Sequence, residues 1–365
     1  MGEGDTLARV DGDEFMVLLE GLGTQPLTAA GRAKSLGLAM MRALAEVYAL
    51  SEGDIHVSCS VGAAILCGHQ HTIQDLIRQV NVALHQAKKA GRNALRFFDP
   101  RMQENVNARA ALEGELRKAI DAGQFLLHYQ IQVDQADCCL GAEALLRWNH
   151  PQRGLVLPGE FIALAEETHM ILPIGQWVIE AACAQLSHWA RHRRTRALSL
   201  AVNVSPLQFQ QPDFAEQVLG CIRRHGVDAR RLKLEVTETM LQGDLERTVD
   251  TMKTLKAQGV QFSLDDFGTG YSSLQYLKRL PLDQLKIDRS FVHDIAIDPN
   301  GKAIVGAIMA MSRHLNLEVI AEGVESAEQL TVLRACGCTR YQGYLFGRPV
   351  AAESLFAHRE ARAVG

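Results

Sequence analysis

The stretch SLDDFGTGYSSL, from Ser263 to Leu274, joins an apolar run to two adjacent carboxylates and then to a turn rich in Gly, Thr and Ser. The run that leads into it, VQFSL, has the alternating character of a β-strand that lies partly in a core. Asp265 and Asp266 therefore stand at the carboxyl end of a predicted core strand. Two like charges there repel each other, so we expect a side chain or an ion to supply positive charge beside them.

Short apolar segments of the same kind recur after Phe125. They are FLLHYQ, LGAEALLRW, LSLAVNVS, LKLEVTE, QFSLDD, QLKID, LEVIAEG and TRYQGYLF. Helical stretches separate most neighbours, and about eight strands alternating with helices over roughly 240 residues predict an α/β fold with a closed (β/α)8 barrel of the TIM type. An open doubly wound sheet is the alternative, which is disfavoured because no Gly-rich phosphate loop follows an early strand.

The first part of the chain predicts a smaller α+β unit. Its predicted elements are a hairpin (LARV, DGD, EFMVLLE), a helix around Leu27 to Leu50, a strand VSCSVGAAI, a helix around Ile73 to Ala90 and a strand ALRFF. A segment from Asn105 to Ala122 predicts a connecting helix, since its apolar residues recur at helical spacing. We therefore expect a partial front domain (1–98), a linker helix (99–111), a barrel (112–358) and a tail (359–365).

Composition excludes several classes of protein. The 365 residues carry a net charge of −4, so the chain lacks the basic surplus with which proteins bind nucleic-acid polymers or anionic membranes. No apolar run is long enough to span a bilayer, and the acidic first residues do not resemble a signal peptide. The eight cysteines include no CxxC pair, which favours reduced thiols. We expect a cytoplasmic protein with no membrane contact in this chain.

Polar residues occupy the carboxyl-side half of nearly every predicted barrel strand. They are Gln130, Glu143, Asn203, Glu235, Glu238, Asp265, Asp266, Lys286, Glu322 and Gln342. In a barrel these strand ends converge on one rim, and so many carboxylates cannot pack there without counter-charge. Oxygen donors of this kind suit Mg²⁺ or Mn²⁺ rather than zinc. The pattern predicts a site for two divalent cations, which is typical of phosphodiester hydrolysis.

Lys286, Glu322 and Arg147 each have a specific functional interpretation. Lys286 and Arg147 also have a structural one. Lys286 is either an ion pair that holds the acidic rim together or a cation that orients water and stabilises a phosphate. Glu322 is placed to accept a proton from that water. Arg147 has the fork geometry that binds phosphate oxygens, although beside Trp148 it could also stack in a packed shell.

Seven motifs in this order identify a resemblance. EALLRW, NVS, LEVTET, DDFGTGYSSL, LKIDRSFV, AEGVE and QGYLFGRP resemble the EAL family of cyclic di-GMP phosphodiesterases, over about Leu112 to Ala357. The resemblance implies a modified barrel with one strand reversed. It also implies hydrolysis of cyclic di-GMP to linear pGpG with two divalent cations, and a homodimer formed through this domain.

The resemblance assigns roles to individual residues. The implied metal ligands are Glu143, Asn203, Glu235, Asp265, Asp266 and Glu322; the implied catalytic residues are Lys286, Glu322, Glu143 and Glu238. The implied substrate contacts are Gln130, Arg147, Asp288 and Gln342. Phe267, Gly268, Thr269, Gly270, Tyr271 and Ser272 form the implied regulatory loop between the site and the dimer contacts. One departure from the family pattern is Ile131, which follows Gln130 where Pro is usual.

The front unit resembles the back half of a GGDEF domain, the diguanylate cyclase family. LARVDGDEF, VSCSVGAA and VALHQAKKAGRNALRFFD carry this likeness, with Asp11 at the first Gly of the signature. A cyclase needs a tight Gly-Gly turn close to its nucleotide, so we expect no cyclase activity. We also expect a truncated form of a longer tandem protein, with a docking and regulatory module as the alternative. Its incomplete sheet is predicted to leave an exposed edge and apolar surface, with a partner chain or local disorder as the result.

Two other functions remain as alternatives. One is a receptor that binds cyclic di-GMP without cleaving it, although degenerate receptors usually lack a metal ligand or the lysine. The other, judged on the residues without the resemblance, is an enolase-type lyase, which also places carboxylates and a lysine at strand ends. Adjacent Asp265 and Asp266 favour paired metals over that second alternative.

Overall fold

A computed structural model describes residues 4–50, 53–55, 57–66, 72–237, 240, 245–267 and 274–355; for residues 49, 50, 53, 54, 100–107, 266 and 274–276 it describes the backbone alone. The chain forms two compact units, Met1–Glu115 and Leu116–Gly365. The predicted boundaries at residues 98, 111 and 358 stay predictions. None of the helices in the described ranges is long and apolar enough to cross a membrane.

The first unit contains three two-stranded pairings and two helices. Its elements are β1 (Thr6–Asp11), β2 (Glu14–Leu18), α1 (Pro26–Leu44), β3 (Tyr48–Leu50), β4 (Gly53–Ile55), β5 (Val61–Ala63), α2 (Ile73–Lys89) and β6 (Leu95–Phe97). β1 with β2 and β3 with β4 are antiparallel, whereas β5 with β6 is parallel. A small core of Ala30, Met41, Leu95 and Phe97 lies between them.

The structure corrects two sequence predictions in this unit. The helix predicted to reach Leu50 ends at Leu44, because Val47 and Tyr48 begin a β-branched and aromatic segment that pairs as β3. The strand predicted from VSCSVGAAI is reduced to Val61–Ala63, the three residues for which β6 provides a partner. The predicted hairpin and the helix from Ile73 are confirmed.

A long helix, α3 (Pro100–Asp121), leads from the first unit into the second. It begins five residues before the predicted start at Asn105, since proline is well accommodated in the first turn of a helix. Its last residues belong to the second unit, and Gln124 follows after Ala122 and Gly123. The carbonyl of Gln124 accepts a hydrogen bond from the Asn149 N–H at 2.8 Å, and its side-chain Oε1 accepts one from Trp148 Nε1 at 2.9 Å.

The second unit alternates strands with helices. Its strands are β7 (Phe125–Asp134), β8 (Cys139–His150), β9 (Gly154–Val156), β10 (Ser199–Asn203), β11 (Leu232–Thr237), β12 (Gln261–Phe267), β13 (Gln284–Ile287), β14 (Glu318–Ala321) and β15 (Arg340–Gln342). Its helices are α4 (Pro158–Glu167), α5 (Ile171–Ala190), α6 (Pro206–Phe209), α7 (Phe214–His225), α8 (Leu245–Lys256), α9 (Leu274–Arg279), α10 (Arg289–His293), α11 (Pro299–His314) and α12 (Ala327–Ala335).

Eight of these strands close into a barrel in the order β10-β11-β12-β13-β14-β15-β7-β8, and β8 pairs with β10 to complete the ring. All neighbours are parallel except β7, which is antiparallel to both β8 and β15. The predicted barrel with one reversed strand is confirmed, and the open-sheet alternative is wrong. β9 extends β8 as a short antiparallel addition that the sequence prediction missed.

The barrel closes tightly where β8 passes β10. A Cβ atom added at Gly141 would lie 2.3 Å from the Ser199 carbonyl oxygen, so only glycine fits at this contact. Gly141 is paired with Ser199 and lies two residues before Glu143 on the same face of β8. The closure therefore fixes the position at which β8 presents Glu143 to the interior.

Candidate active site

The barrel places the predicted polar residues at its carboxyl-terminal rim. Glu143, Glu235, Asp265 and Lys286 lie within β8, β11, β12 and β13, and Glu322 follows β14 directly. The Glu322 N–H donates to the Ile287 carbonyl at 3.1 Å, which fixes the start of the loop. Because parallel strands end at the same rim, these five side chains converge although they are separated by up to 179 residues of sequence, from position 143 to position 322.

Lys286 lies at the centre of the acidic cluster, which we define as Glu143, Glu235, Asp265 and Glu322. Its ammonium is 2.6 Å from Glu235 Oε2, 2.7 Å from Glu322 Oε1, 3.2 Å from Asp265 Oδ1 and 3.7 Å from Glu143 Oε2. The lysine side chain is 1% exposed. A fully buried ammonium with four carboxylate neighbours is the counter-charge that the sequence requires, although it leaves the cluster with more negative than positive groups.

Side-chain amides hold Glu143 from two sides. Asn203 Nδ2 donates to Glu143 Oε1 at 2.6 Å, and Gln342 Nε2 donates to Oε2 at 2.5 Å. Gln342 Nε2 also reaches Gln130 Oε1 at 3.2 Å, and Gln130 Nε2 donates to the Gly347 carbonyl at 3.1 Å. The sequence prediction thus placed Gln130, Asn203 and Gln342 at the site, and the structure brings them together around one carboxylate.

The pKa values of the cluster reflect burial and crowding. Burial raises the pKa of Glu235 well above its usual range, and the charge of Glu143 adds to this effect. Burial likewise raises the pKa of Glu322 to about 8. Burial alone would raise the pKa of Glu143, but the Lys286 charge and the bonds from Gln342 and Asn203 hold it below its usual value. The metal-free cluster therefore tends to retain protons at neutral pH.

Burial by itself would lower the pKa of the Lys286 ammonium. The surrounding carboxylates, led by Glu143 and Glu235, overcome this effect and raise its pKa well above the usual value. Lys286 is consequently a cation in the metal-free site, where it can donate hydrogen bonds and stabilise negative charge.

The donor set fits divalent cations. Glu235 Oε1 is buried without a hydrogen-bond partner among the described residues, which is costly unless a further ligand approaches it. Carboxylate and amide oxygens are the donors that Mg²⁺ and Mn²⁺ prefer. No three Asp, Glu, His or Cys side chains in the described ranges already form a metal cage, since the carboxylates turn towards Lys286. Binding of a cation thus requires some of them to turn away from the lysine.

Other predicted site residues lie apart from these contacts or outside the description. Arg147 is 8% exposed and its Nη1 donates to the Leu146 carbonyl at 2.8 Å. Asp288 caps α10 by accepting from the Ser290 N–H at 2.9 Å. Phe267 is buried at the end of β12. Residues beyond the description are Glu238, Gly268, Thr269, Gly270, Tyr271, Ser272 and the side chain of Asp266.

Sequence reasoning missed a buried polar layer below the site. Gln132 Nε2 donates to Gln342 Oε1 at 2.9 Å and so orients the amide that holds Glu143. Lys233 Nζ donates to Gln284 Oε1 at 2.9 Å, deep in the barrel. Each of these residues lies two positions from a predicted site residue on the same strand. That spacing, which puts both side chains on one face, was the available signal.

Comparison with known proteins bears on this site directly. The EAL domain model matches residues 113–349, which include the cluster and both amide partners of Glu143. The chain belongs to the EAL domain family. A second model, described as the diguanylate cyclase GGDEF domain, matches residues 1–94 of the first unit. Both resemblances inferred from the motifs are confirmed.

Relatives of this EAL protein include two proteins of Pseudomonas aeruginosa named as cyclic di-GMP phosphodiesterases. The chain is 42% identical over 354 residues to the bifunctional diguanylate cyclase/cyclic di-GMP phosphodiesterase MucR of Pseudomonas aeruginosa, covering 97% of this chain and 51% of that protein. It is 39% identical to the cyclic di-GMP phosphodiesterase NbdA of the same organism, covering 97% of this chain and 44% of that protein. The chain thus spans about half the length of these curated relatives.

A solved structure covers the EAL region. The structure described as PaMucR phosphodiesterase in complex with c-di-GMP aligns with a TM-score of 0.65 and 46% sequence identity. The alignment covers 67% of this chain and 99% of that one. The barrel of this EAL protein therefore has the same fold as a domain that binds the cyclic dinucleotide.

Proposed function

We propose that the barrel hydrolyses one phosphodiester bond of cyclic di-GMP to give linear pGpG, with two Mg²⁺ or Mn²⁺ ions as cofactors. The observation that supports this most is the convergence of four carboxylates and one ammonium at the barrel rim. The similarity to the c-di-GMP complex of PaMucR points to the same substrate.

The metal ligands in this proposal are Glu143, Asn203, Glu235, Asp265, Asp266 and Glu322. When bound, divalent cations would supply the Lewis acidity that polarises the phosphate and activates water. The chain's own residues prepare for this by their fixed donors: amides from Asn203 and Gln342 hold the Glu143 carboxylate in one orientation.

Lys286 and Glu322 handle charge and protons in the proposal. The ammonium of Lys286 is charged, so it stabilises negative charge that develops on the phosphate oxygens. Glu322 Oε1 lies 2.7 Å from that ammonium at the edge of the cluster, where it can accept the proton of the attacking water. Arg147 and Asp288 stay predicted substrate contacts, and Glu238 with the loop of residues 267–272 stays a predicted link to a homodimer.

The test is product analysis by liquid chromatography after incubation of the whole chain with cyclic di-GMP. We expect pGpG in Mg²⁺ and in Mn²⁺ and none in excess chelator. Glu143→Ala should abolish turnover, because it removes a ligand held by two amides. The control is Glu216→Ala, an exposed carboxylate in the first turn of α7, which should retain wild-type activity.

Two outcomes would contradict the proposal. Tight binding of cyclic di-GMP without product would place the chain among receptors of the dinucleotide. Activity of Glu143→Ala within a few-fold of wild type would mean that the metal assignment is wrong.

We also propose that the first unit makes no cyclic di-GMP. Asp11 and Glu14 pair across the β1–β2 turn, so a side chain stands where a cyclase requires glycine. The test is incubation with GTP and Mg²⁺ in a Glu143→Ala background, so that any cyclic product would accumulate. Formation of cyclic di-GMP, the cyclase activity for which bifunctional MucR is named, would overturn this part of the proposal.

A further inference from the structure

Three neighbouring strands carry paired polar residues that point into the barrel. The pairs, each two residues apart, are Lys233 and Glu235 on β11, Ser263 and Asp265 on β12, and Gln284 and Lys286 on β13. The second member of each pair lies in the site. Residues two apart on a strand face the same side, so the first members form a layer roughly 7 Å deeper in the barrel.

This lower layer is a hydrogen-bonded unit with one charge. Lys233 Nζ donates to Gln284 Oε1 at 2.9 Å, and Ser263 Oγ donates to the same oxygen at 3.3 Å. The three residues are 3%, 1% and 0% exposed, in the order Lys233, Gln284 and Ser263. The hydrogen-bond partner that the described residues give to the Lys233 ammonium is thus a neutral amide. Its charge is compensated only by carboxylates farther away.

The carboxylates nearest along the strands belong to the acidic cluster. That cluster has four carboxylates and one ammonium, which leaves three negative charges in excess when all are ionised and one in excess while Glu235 and Glu322 retain protons. Burial lowers the pKa of Lys233, and the charges of Glu318 at the lower end and then of Glu235 two residues above act against this effect. Glu318 is already paired with Arg340. The uncompensated negative charge near Lys233 therefore lies above it, in the site.

We propose that Lys233 is a second counter-charge of the acidic cluster, which stabilises the metal-free site from below and weakens its affinity for divalent cations. This inference rests on the proposed function, because it concerns the same metal ligands. Lys233 is a positioning residue in this scheme: it touches neither substrate nor metal. Its effect is carried through the low-dielectric interior of the barrel, where charges are screened much less than at a surface.

The direction of the effect follows from charge. Without cations, the excess negative charge of the cluster attracts Lys233 and offsets part of the free-energy cost of burying its charge. With cations bound, the cluster is neutralised, and Lys233 instead repels the positive ions. Replacing Lys233 by a neutral residue should therefore destabilise the metal-free protein more than the metal-loaded protein. By linkage, the same replacement strengthens metal binding.

A purely structural role for Lys233 predicts a different result. If the side chain only anchors Gln284, its loss would destabilise the metal-free and metal-loaded forms equally, and metal affinity would not rise. Lys233→Gln separates the two roles, because it keeps a hydrogen-bonding group but removes the charge. Lys233→Arg keeps the charge.

The experiment is calorimetric titration of the whole chain with Mn²⁺ in the absence of substrate, after chelator treatment and dialysis. For Lys233→Met and Lys233→Gln we expect the dissociation constant to fall by about three- to tenfold and the metal-induced rise in Tm to increase. Lys233→Arg should stay within about twofold of wild type. The matched control is Lys256→Met, which removes a lysine paired with Asp283 at 2.8 Å and changes the net charge equally.

Unchanged or weaker Mn²⁺ binding by both neutral variants would overturn the inference. If Lys233→Met does not fold, comparison of Lys233→Gln with Lys233→Arg still decides it. If the wild-type protein hydrolyses cyclic di-GMP and the variants bind Mn²⁺ with the same affinity as the wild type, only the role of Lys233 is refuted. Wild-type protein that neither binds Mn²⁺ nor forms product would refute the proposed function, and this inference with it.

Discussion

The two units of the chain differ in what they bury. The barrel encloses charge: Lys286 is 1% exposed and Glu235 is 1% exposed, both in the middle of a folded interior. The first unit, in contrast, exposes apolar side chains to solvent. Leu7, Val10 and Phe15 on its hairpin are 57%, 59% and 60% exposed. The predicted apolar surface of the first unit is thus confirmed, whereas a partner chain or local disorder there stays a prediction.

Closure of the sheet explains the difference. In the barrel every strand has two neighbours, so the backbone is satisfied and the interior is shielded from water on all sides. Such an interior can hold an acidic cluster if positively charged side chains compensate its negative charge. In the part of the first unit that the structure describes, the strands form three separate two-stranded sheets with unpaired edges, around a small core cluster of Ala30, Met41, Leu95 and Phe97. Small sheets with open edges leave apolar side chains at the surface.

The largest effect is expected from Lys286→Met, which would break the balance inside the barrel. In chelator, the loss of a buried cation among four carboxylates should lower the free energy of unfolding of the barrel by about 3–5 kcal/mol. Hydrogen exchange should speed up in β11 to β14 and stay unchanged in α2. The control is Lys302→Met, an exposed lysine on α11. Equal acceleration in both units would show that they unfold as one, against the contrast drawn here.

A smaller effect is expected from Gly62→Ala, which tests whether α2 packs tightly on β5 in the first unit. A Cβ at Gly62 would lie 2.3 Å from Leu84 N and 2.4 Å from the Val80 carbonyl oxygen on α2. We expect the first unit to lose about 1–3 kcal/mol in urea unfolding. In the control, Gly114→Ala on α3, a Cβ would meet nothing within 4 Å. A first unit unaffected by Gly62→Ala would mean that α2 does not pack on β5 in solution.

The smallest effect is expected from Phe15→Ser on the exposed hairpin. Phe15 contacts only the Arg9 guanidinium among the ring contacts of the described residues, at 5.8 Å from the ring centre. Its replacement should change the free energy of unfolding by no more than about 1 kcal/mol. It should also reduce self-association, measured by size-exclusion chromatography at rising concentration. A loss as large as that from Phe161→Ser, a fully buried barrel residue, would show that the hairpin is covered in solution.

Much of the barrel follows from its sequence pattern, because each strand is a short apolar segment with a polar residue at its carboxyl end. The reversal of β7 came from the family resemblance and not from that pattern. The sequence nevertheless contains a physical signal for it. Only four residues, 135–138, connect β7 to β8, and a connection that short can join antiparallel strands but not parallel ones.

The charged residues of the site could be predicted from the sequence, whereas some of its neutral polar residues could not. Glu143, Glu235 and Asp265 stood out because carboxylates are rare in core strands. Gln132 and Gln284 did not, since a neutral amide in a strand carries no comparable energetic demand and is equally common at the surface. The end of α1 was misplaced for a related reason: helical periodicity fades gradually, whereas the pairing of β3 with β4 depends on contacts that single-strand patterns do not contain.

The reversed strand also decides where the linker arrives. Because β7 runs against its neighbours, its first residue, Phe125, is paired with Trp148 near the carboxyl-terminal end of β8. The covalent connection from α3 therefore enters at the carboxyl-terminal rim of the barrel, the rim that carries the acidic cluster. If β7 were parallel to its neighbours, this connection would enter at the opposite, amino-terminal end of the barrel. Gln124 is hydrogen-bonded to Trp148 and Asn149 at that entrance. A rotation of α3 therefore acts on β8, the strand that carries Glu143.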